Sequence, residues 1–357
     1  MNLYLTADEI GLETGGGIVT LHESGALRRV SDSLRILERP SFPEGGDPWG
    51  WDEAAYDRIF HYRDLPDHYD LAHIYSGSFP KTVAALKEEG TKISYTIAAH
   101  DKEISRREHE KFGLPFPYTH LTDPALWRQY IEGYRLADVI ICPGTVPRNT
   151  VQKYGPEFAD KRIEIIPHGC NLPEAISPIP PRFVVGYMGA LGPDKGVRYL
   201  LEAWKKLDYR DGSYLAIAGK DSLSPWALEF YKAFGGGNIC PIGWVKNTTM
   251  FYEGISVYCQ PSATEGFGIE VVEAMAHGRP VICSDGAGAV DLIRENMGTG
   301  DIVTACDAAD LAESIHSYKS DHSGMMVQTV GDRAREAAAM YTWDKVRQQY
   351  IDLWRSL

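Results

Sequence analysis

The sequence predicts an α/β protein built from two doubly wound parallel sheets, one after the other along the chain. Three observations predict it. Apolar runs of strand length alternate with helical patterns through the first half, a proline-rich piece at 173–181 interrupts them, and the same rhythm then restarts. Alternating strand and helix signals belong to parallel sheets whose crossover helices cover both faces. The length of 357 residues suits two domains, and 44% hydrophobic with 24% charged residues is an ordinary globular composition.

Taken in order, the first strand falls on 3–5, and a glycine run, Gly15, Gly16 and Gly17, follows. Segment 40–51, rich in Pro, Gly and Asp, reads as a loop. Strands are expected at 71–75, 92–97, 138–142 and, briefly, 164–167, with helices over 80–89 and 126–137. Beyond the break, strands are expected at 183–188, 214–218, 256–259 and 280–283. Helices are expected over 197–206 and 270–277, with a turn at 189–196. The stretch 331–357 reads as helical and carries Trp343, Tyr350 and Trp354. The expected division is a first domain, 1–172, completed by helix 338–357; a linker, 173–182; and a second domain, 183–337. Doubly wound sheets gather ligands at the carboxyl ends of their strands, so the crevice between the two is the expected site.

A net charge of -13 excludes broad non-specific attraction to nucleic acid and argues against constitutive binding to an anionic membrane. Cys142, Cys170, Cys240, Cys259, Cys283 and Cys306 are widely spaced and contain no C-x-x-C, which is no zinc cage and a poor disulfide framework for so long a chain. They read as single buried thiols in a reducing compartment, the cytoplasm. The N-terminus begins in a strand-like stretch and lacks the basic and apolar regions of a signal peptide. No apolar run approaches the roughly eighteen residues of a spanning helix, which leaves peripheral membrane contact open.

The most informative segment is 261–291, PSATEGFGIEVVEAMAHGRPVICSDGAGAVD. A strand ends at Gln260, a loop carries Glu265, Gly266, Phe267 and Gly268, and a helix begins near Ile269. Backbone N–H groups at a helix start suit an anion or sugar hydroxyls. Glu273 lies about one turn inside the helix, so the two carboxylates reach different parts of one ligand. Carboxylates accepting vicinal hydroxyls hold sugars and riboses. Taken singly, each reads first as a solvated helix or loop charge.

The ordered series Pro-Ser, Glu-Gly-Phe-Gly, Glu-Ala-Met-Ala-x-Gly, Pro-Val and Gly-rich turn resembles the donor-binding motif of the retaining GT-B nucleotide-sugar glycosyltransferases, specifically their group 1, family 4-like branch. The resemblance implies two Rossmann-like domains facing a central cleft, with the C-terminal helix crossing back to the first. It implies that Glu273 holds the ribose, while Glu265 and the backbone of Gly266, Phe267, Gly268 and Ile269 face donor sugar and diphosphate. Lys195, in GYMGALGPDKGVRYLLEAW, stands at the diphosphate lysine, whereas Ala190 stands where the family usually has an arginine. Arg198 and Lys220 are the nearby cations that would substitute.

The glycines at 15–17, by themselves a flexible turn, become a loop approaching the diphosphate. His100, by itself a structural histidine, becomes a neighbour of the transferred sugar. Loops 217–221, with Lys220, and 241–245, with Val245, wrap the base and phosphates. Segment 166–171 closes the acceptor domain, 286–288 makes the turn after the last donor-domain strand, and Asp291 replaces the usual glutamate. Trp343 opens the helix that packs back on the first domain. His100, Lys195 and Glu265 form the implied catalytic set.

The implied activity is retaining transfer of a hexose from a UDP- or GDP-linked donor to a hydroxyl of a glycan, glycolipid or small molecule, in polysaccharide biosynthesis. The chain has no D-x-D, so neither a metal nor another cofactor is expected. Acceptor contacts fall within 40–130, with His61, Tyr62, Arg106, Arg107, His109 and the aromatic stretch 112–118 as candidates. A homodimer is compatible with the sequence, though no feature dictates one. The alternative from another class is a catalytically weak nucleotide-sugar-binding subunit of a glycan-assembly complex, which Ala190 favours.

Overall fold

A computed structural model describes residues 1–6, 15–30, 34–38, 68–75, 79–116, 122–209, 211–321 and 325–357. In chain order its first elements are β1 (Asn2–Thr6), α1 (Gly15–Leu27), β2 (Leu34–Glu38), β3 (Leu71–Tyr75), α2 (Pro80–Glu88) and β4 (Lys92–Thr96). Next come α3 (Lys102–Lys111), α4 (Pro124–Leu136), β5 (Val139–Cys142), α5 (Thr145–Gln152) and β6 (Ile163–Ile165). There follow β7 (Val184–Met188), α6 (Val197–Leu207), β8 (Tyr214–Ala218), α7 (Pro225–Phe234), β9 (Ile239–Gly243), α8 (Thr248–Glu253) and β10 (Val257–Gln260). The last are α9 (Ile269–Ala276), β11 (Val281–Ser284), α10 (Val290–Glu295), β12 (Gly300–Val303), α11 (Ala308–Ser320), α12 (Met325–Ala338) and α13 (Trp343–Arg355).

The chain divides into two compact units, Met1–Lys102 with Pro115–Pro167 and Asp344–Leu357, and Glu103–Leu114 with His168–Trp343. Each holds one parallel sheet of six strands, in the orders β2-β1-β3-β4-β5-β6 and β12-β11-β10-β7-β8-β9. Strands covered on both faces need apolar side chains at nearly every position. That is why β3 and β5, buried throughout, are plain in the sequence.

In the first unit Leu3, Ile74, Ile93, Tyr95 and Ile140 form the centre of the core. The central strands also bury His73, Ser94 and Thr96, and these polar groups need partners. Helices α1 and α13 supply them. The His73 ring places Nε2 3.2 Å from Glu23 and Nδ1 2.9 Å from Ser94 Oγ. Trp354 Nε1 donates to Ser94 Oγ (3.0 Å), Tyr4 donates to Glu23 (2.8 Å), and the Trp354 ring lies 4.7 Å from that of His73. Burial alone would raise the Glu23 pKa. The charge and hydrogen bond of His73, aided by Thr96 and Tyr4, outweigh it and hold the carboxyl below its usual value. Arg347, on α13, donates to His22 Nδ1 (2.7 Å), and burial with that cation pushes His22 down to about 4.

The second unit packs α6 and α11 against β7, β8 and β11. Val197, Leu200, Leu201 and Trp204 recur at helical spacing on α6 and are all buried. Each fully buried side chain of this kind contributes about 1.5–3 kcal/mol. The segment containing α3 belongs here by its contacts. Tyr199 donates to Glu108, while Lys111 donates to Tyr199.

Several expectations need correction. Gly15, Gly16 and Gly17 are the first three residues of α1 and not a loop. The strand expected at 164–167 is β6 and ends at Ile165; Pro167 has no N–H for a ladder. Segment 166–171 holds no strand, and Cys170 instead forms an isolated bridge with Thr342. Residues 241–243 are not loop but part of β9, where an edge position tolerates Pro241. The stretch 331–357 breaks between α12 and α13, with Thr342 extended. All six cysteines are free, yet Cys240 is exposed on the edge strand and Cys306 half-buried. Arg106 pairs with Glu103 and Glu110, and His109 is buried with Nδ1 2.8 Å from the Ser105 carbonyl. Segment 40–51, His61, Tyr62 and residues 117–118 lie outside the described residues. Among the described residues no helix is long and apolar enough to cross a membrane.

Candidate active site

The site of the second unit is assembled at the carboxyl ends of β7 and β10. After β7 the chain turns through a short 3-10 helix, Pro193–Lys195, and enters α6 at Gly196. Gly196 has φ +68°, and a Cβ there would stand 1.9 Å from the Pro261 carbonyl oxygen. Only glycine lets this turn press on the β10 exit. The Ala263 N–H donates to the Asp194 carbonyl (2.8 Å) and fixes the contact.

This close approach sets Lys195 over the loop that carries Glu265, and its Nζ donates to the Glu265 carboxylate. The side chains keep 22% and 13% exposure, so the pair stays open to a ligand. Burial works against the charged form of Lys195, but Glu265 and Asp194 outweigh it and raise its pKa above the usual lysine value. Glu265 itself is pinned by the Gly-rich turn. Its N–H donates to the Gly286 carbonyl (3.0 Å), and its carbonyl accepts from Gly288 (3.2 Å).

Phe267 turns inward, 3% exposed, with its ring 5.0 Å from that of His168. Its side chain therefore packs, and its N–H is what the loop offers. Gly268, at φ +89°, opens α9. Among the described residues no hydrogen bond engages the N–H of Phe267 or Gly268. Free N–H groups and the positive end of a helix dipole favour an anion here.

Glu273 lies one turn along α9 and accepts from Tyr252 (2.8 Å). Burial raises its pKa, and the Tyr252 hydrogen bond works in the opposite direction. The Tyr252 ring stacks on His277 at 4.9 Å. Behind it, buried Arg279 donates to the carbonyls of Tyr252 (2.8 Å) and Ser177 (2.9 Å), and burial lowers its pKa to about 10. Arg335 donates to the Ala276 (2.6 Å) and Pro173 (2.7 Å) carbonyls and holds the far end of α9.

The structure brings Lys195, Glu265, Gly266, Phe267, Gly268, Ile269 and Glu273 together in one continuous arrangement. Lys220 is exposed on the turn after β8, and Val245 is half-buried after β9. Ala190 is exposed, with its carbonyl accepting from Tyr187. Arg198 pairs with Glu202 (2.8 Å) and lies over the Phe112 and Phe234 rings. Asp291 pairs with Arg294 (3.2 Å). His100 and Gly15–Gly17 belong to the first unit, where His100 is half-buried after β4 and neighbouring Asp101 pairs with Lys153 (3.0 Å). Tyr252, Arg279 and Glu270 escaped the sequence reading. Nothing in their local pattern marks them; Tyr252 and Arg279 gain their partners through tertiary contact alone. Among the described residues no group of three His, Cys, Asp or Glu side chains is placed to hold a metal ion.

Residues 174–337 match the family described as Glycosyl transferases group 1. Over 176 residues the chain is 28% identical to the capsular polysaccharide biosynthesis glycosyltransferase CapM of Staphylococcus aureus, a match covering 47% of this chain and 46% of that relative. The chain thus spans about half the length of that relative. An uncharacterized glycosyltransferase of Methanocaldococcus jannaschii is 26% identical over 360 residues, covering 94% of this chain and 95% of its own. Among solved structures, sucrose-phosphate synthase of Thermosynechococcus elongatus superposes with a TM-score of 0.74 at 18% identity, over 99% and 98% of the two chains. HepE of Anabaena, in complex with UDP and glucose, gives 0.69 at 16% identity over 100% of both. These neighbours show the GT-B fold.

Proposed function

We propose that the chain, whose residues 174–337 match the group 1 glycosyl transferases, transfers a sugar from a nucleoside-diphosphate donor to an acceptor hydroxyl, without a metal and with retention at the anomeric carbon. The observation that carries this reading is the Lys195–Glu265 pair beside the unengaged N–H groups that open α9. A diphosphate leaving group gains negative charge as its bond to the sugar breaks, and a cation with fixed N–H dipoles stabilises that charge. Lys195 supplies the cation, and Phe267 with Gly268 supplies the N–H groups. Glu273, oriented by Tyr252, accepts the ribose hydroxyls, and Glu265 faces the sugar.

In the proposed step the bond from the anomeric carbon to phosphate oxygen breaks. The acceptor oxygen bonds that carbon from the same face, and its proton passes to the departing phosphate. His100 and the glycines at 15–17 keep the roles the family resemblance gives them, beside the sugar and the diphosphate. The proposed donor is a UDP- or GDP-linked hexose, and HepE, crystallised with UDP and glucose, supports the former. The names of the relatives support an acceptor in capsule or related polysaccharide synthesis. A second reading, a nucleotide-sugar-binding subunit with weak turnover, rests on Ala190.

The test is a panel of UDP- and GDP-sugars with EDTA present, following binding and slow donor hydrolysis, with Glu273→Ala in parallel. Release of one nucleotide, reduced by the variant, is the expected result. Tight binding of a donor without turnover, even with acceptor extracts, selects the second reading. Turnover that EDTA abolishes overturns metal independence, and failure to bind any donor removes the transferase proposal.

A further inference from the structure

Phe267 and Gly268 stand at the start of α9 with unengaged N–H groups, and the proposed reaction needs both groups aimed at the diphosphate. A peptide unit is planar, so the direction of an N–H is set by whatever fixes the residues on either side of it. The turn after β11 supplies one restraint. The Phe267 carbonyl accepts from the Ala289 N–H (2.8 Å). A Cβ on Gly288 would stand 2.2 Å from the Gly266 carbonyl oxygen and 3.1 Å from Phe267 Cα, so this turn presses directly on the loop.

A second restraint acts on the Phe267 side chain, and it comes from His168. The buried His168 ring meets that of Phe267 at 5.0 Å and 66°, close to edge-on, and lies 6.5 Å from the ring of Trp343. His168 is itself held in place by its neighbours. Gly169 runs so near Trp343 that a Cβ there would stand 2.9 Å from the Trp343 Cα and from its ring. The Cys170 N–H donates to the Tyr341 carbonyl (2.9 Å), and its carbonyl accepts from the Trp343 N–H (3.2 Å). Two segments far apart in sequence are thus laced together where they present one imidazole to the donor loop.

We propose that His168 is a positioning residue for the donor site: its ring wedges Phe267 inward and so keeps the N–H groups of Phe267 and Gly268 aimed at the diphosphate. The inference rests on the donor reading above. His168 touches no reacting atom and acts only through Phe267. With the ring removed, Phe267 gains space to move into, since the lining of a deleted side chain relaxes towards it. Gly268 is the pivot, because its left-handed backbone (φ +89°) carries no Cβ to resist rotation. The wedge uses the flatness and edge of the ring rather than its nitrogens. A phenyl ring therefore serves in its place, and an alkyl side chain serves only in part.

The experiment compares wild type, His168→Ala, His168→Leu and His168→Phe by calorimetric binding of UDP and UMP, with GDP and GMP in parallel. Each protein is first checked for a cooperative melt. The ratio of diphosphate to monophosphate affinity isolates the second phosphate from base and ribose. In His168→Ala this ratio is expected to shrink roughly ten-fold, the size of one or two lost hydrogen bonds to a charged group. His168→Leu falls between, and His168→Phe restores the wild-type ratio. A merely structural loss would lower the melting temperature and weaken both ligands alike, leaving the ratio where it was. An unchanged ratio in His168→Ala overturns the inference while leaving the donor reading intact, as does failure of His168→Phe to restore it. Where His168→Ala does not fold, the ratio in His168→Leu decides. Failure of the wild-type protein to bind either diphosphate removes the donor reading and this inference with it.

Discussion

Two acid–base pairs, one in each unit, are alike in chemistry and opposite in surroundings. Glu23 and His73 are 1% and 0% exposed, and the residues that satisfy them come from β1, β4, α1 and α13. Lys195 and Glu265 are 22% and 13% exposed and stand beside N–H groups with no partner among the described residues. A sealed pair can only hold elements together, since no ligand reaches it and loss of either member strands a charge in a medium that solvates it poorly. A pair at an open helix start can exchange its partner for a ligand. The difference predicts that stability is spent at the first and chemistry happens at the second.

The largest effect expected is at the sealed pair. Glu23→Ala should cost about 3–5 kcal/mol in urea unfolding by leaving His73 without its carboxylate. The pH dependence follows from the lowered Glu23 pKa. Its stabilisation is complete above the unfolded carboxylate pKa and is lost as pH falls through the folded one, so acid unfolding should be steeper in wild type than in Glu23→Gln. Equal acid profiles would break the contrast. Next, Lys195→Ala should lower kcat/KM by about 10²–10³ and leave the melting temperature nearly unchanged. A collapse in stability without a specific kinetic loss would show that this pair, too, is structural.

Tyr252→Phe sharpens the same line, because it removes one hydrogen bond from Glu273 while keeping the ring on His277. Donor affinity should fall by roughly three- to ten-fold, an effect of about 1 kcal/mol, with kcat nearly preserved. Trp354→Phe should cost about 0.5–1.5 kcal/mol of stability with no change in donor affinity. The smallest effect belongs to the Arg294–Asp291 pair, whose arginine is 46% exposed. Arg294→Ala should change stability by less than about 0.5 kcal/mol, and a larger loss would contradict the surface character of that pair.

Much of the architecture was legible because parallel strands buried on both faces spell themselves out. LAHIY, VIIC and VICS are almost uninterrupted apolar runs. The outer strands β2 (LRILE) and β9 (ICPIG) were not foreseen, because edge positions admit charges and proline that a central strand would exclude. The start of α1 was misjudged for a related reason. Three glycines carry no side-chain signal, and only the structure shows that the helix begins with them. At the site, Glu265 and Glu273 stood out through the ordered series of one short segment and its resemblance to a known donor-binding motif. Tyr252 did not, since it lies 21 residues from Glu273 and meets it through tertiary packing.

The completion of the first sheet by α13 has a consequence for biosynthesis. The nascent first unit holds Ser94, His73 and Glu23 ready, but their lid contains Tyr350 and Trp354. Those residues emerge about 190 positions after Pro167, which at ribosomal speed is a delay of roughly 10–40 s. During that interval the second unit, apart from its α3 segment, is made without interruption and can fold vectorially, while the first waits with a polar cluster uncovered. The unit translated first is therefore the one finished last.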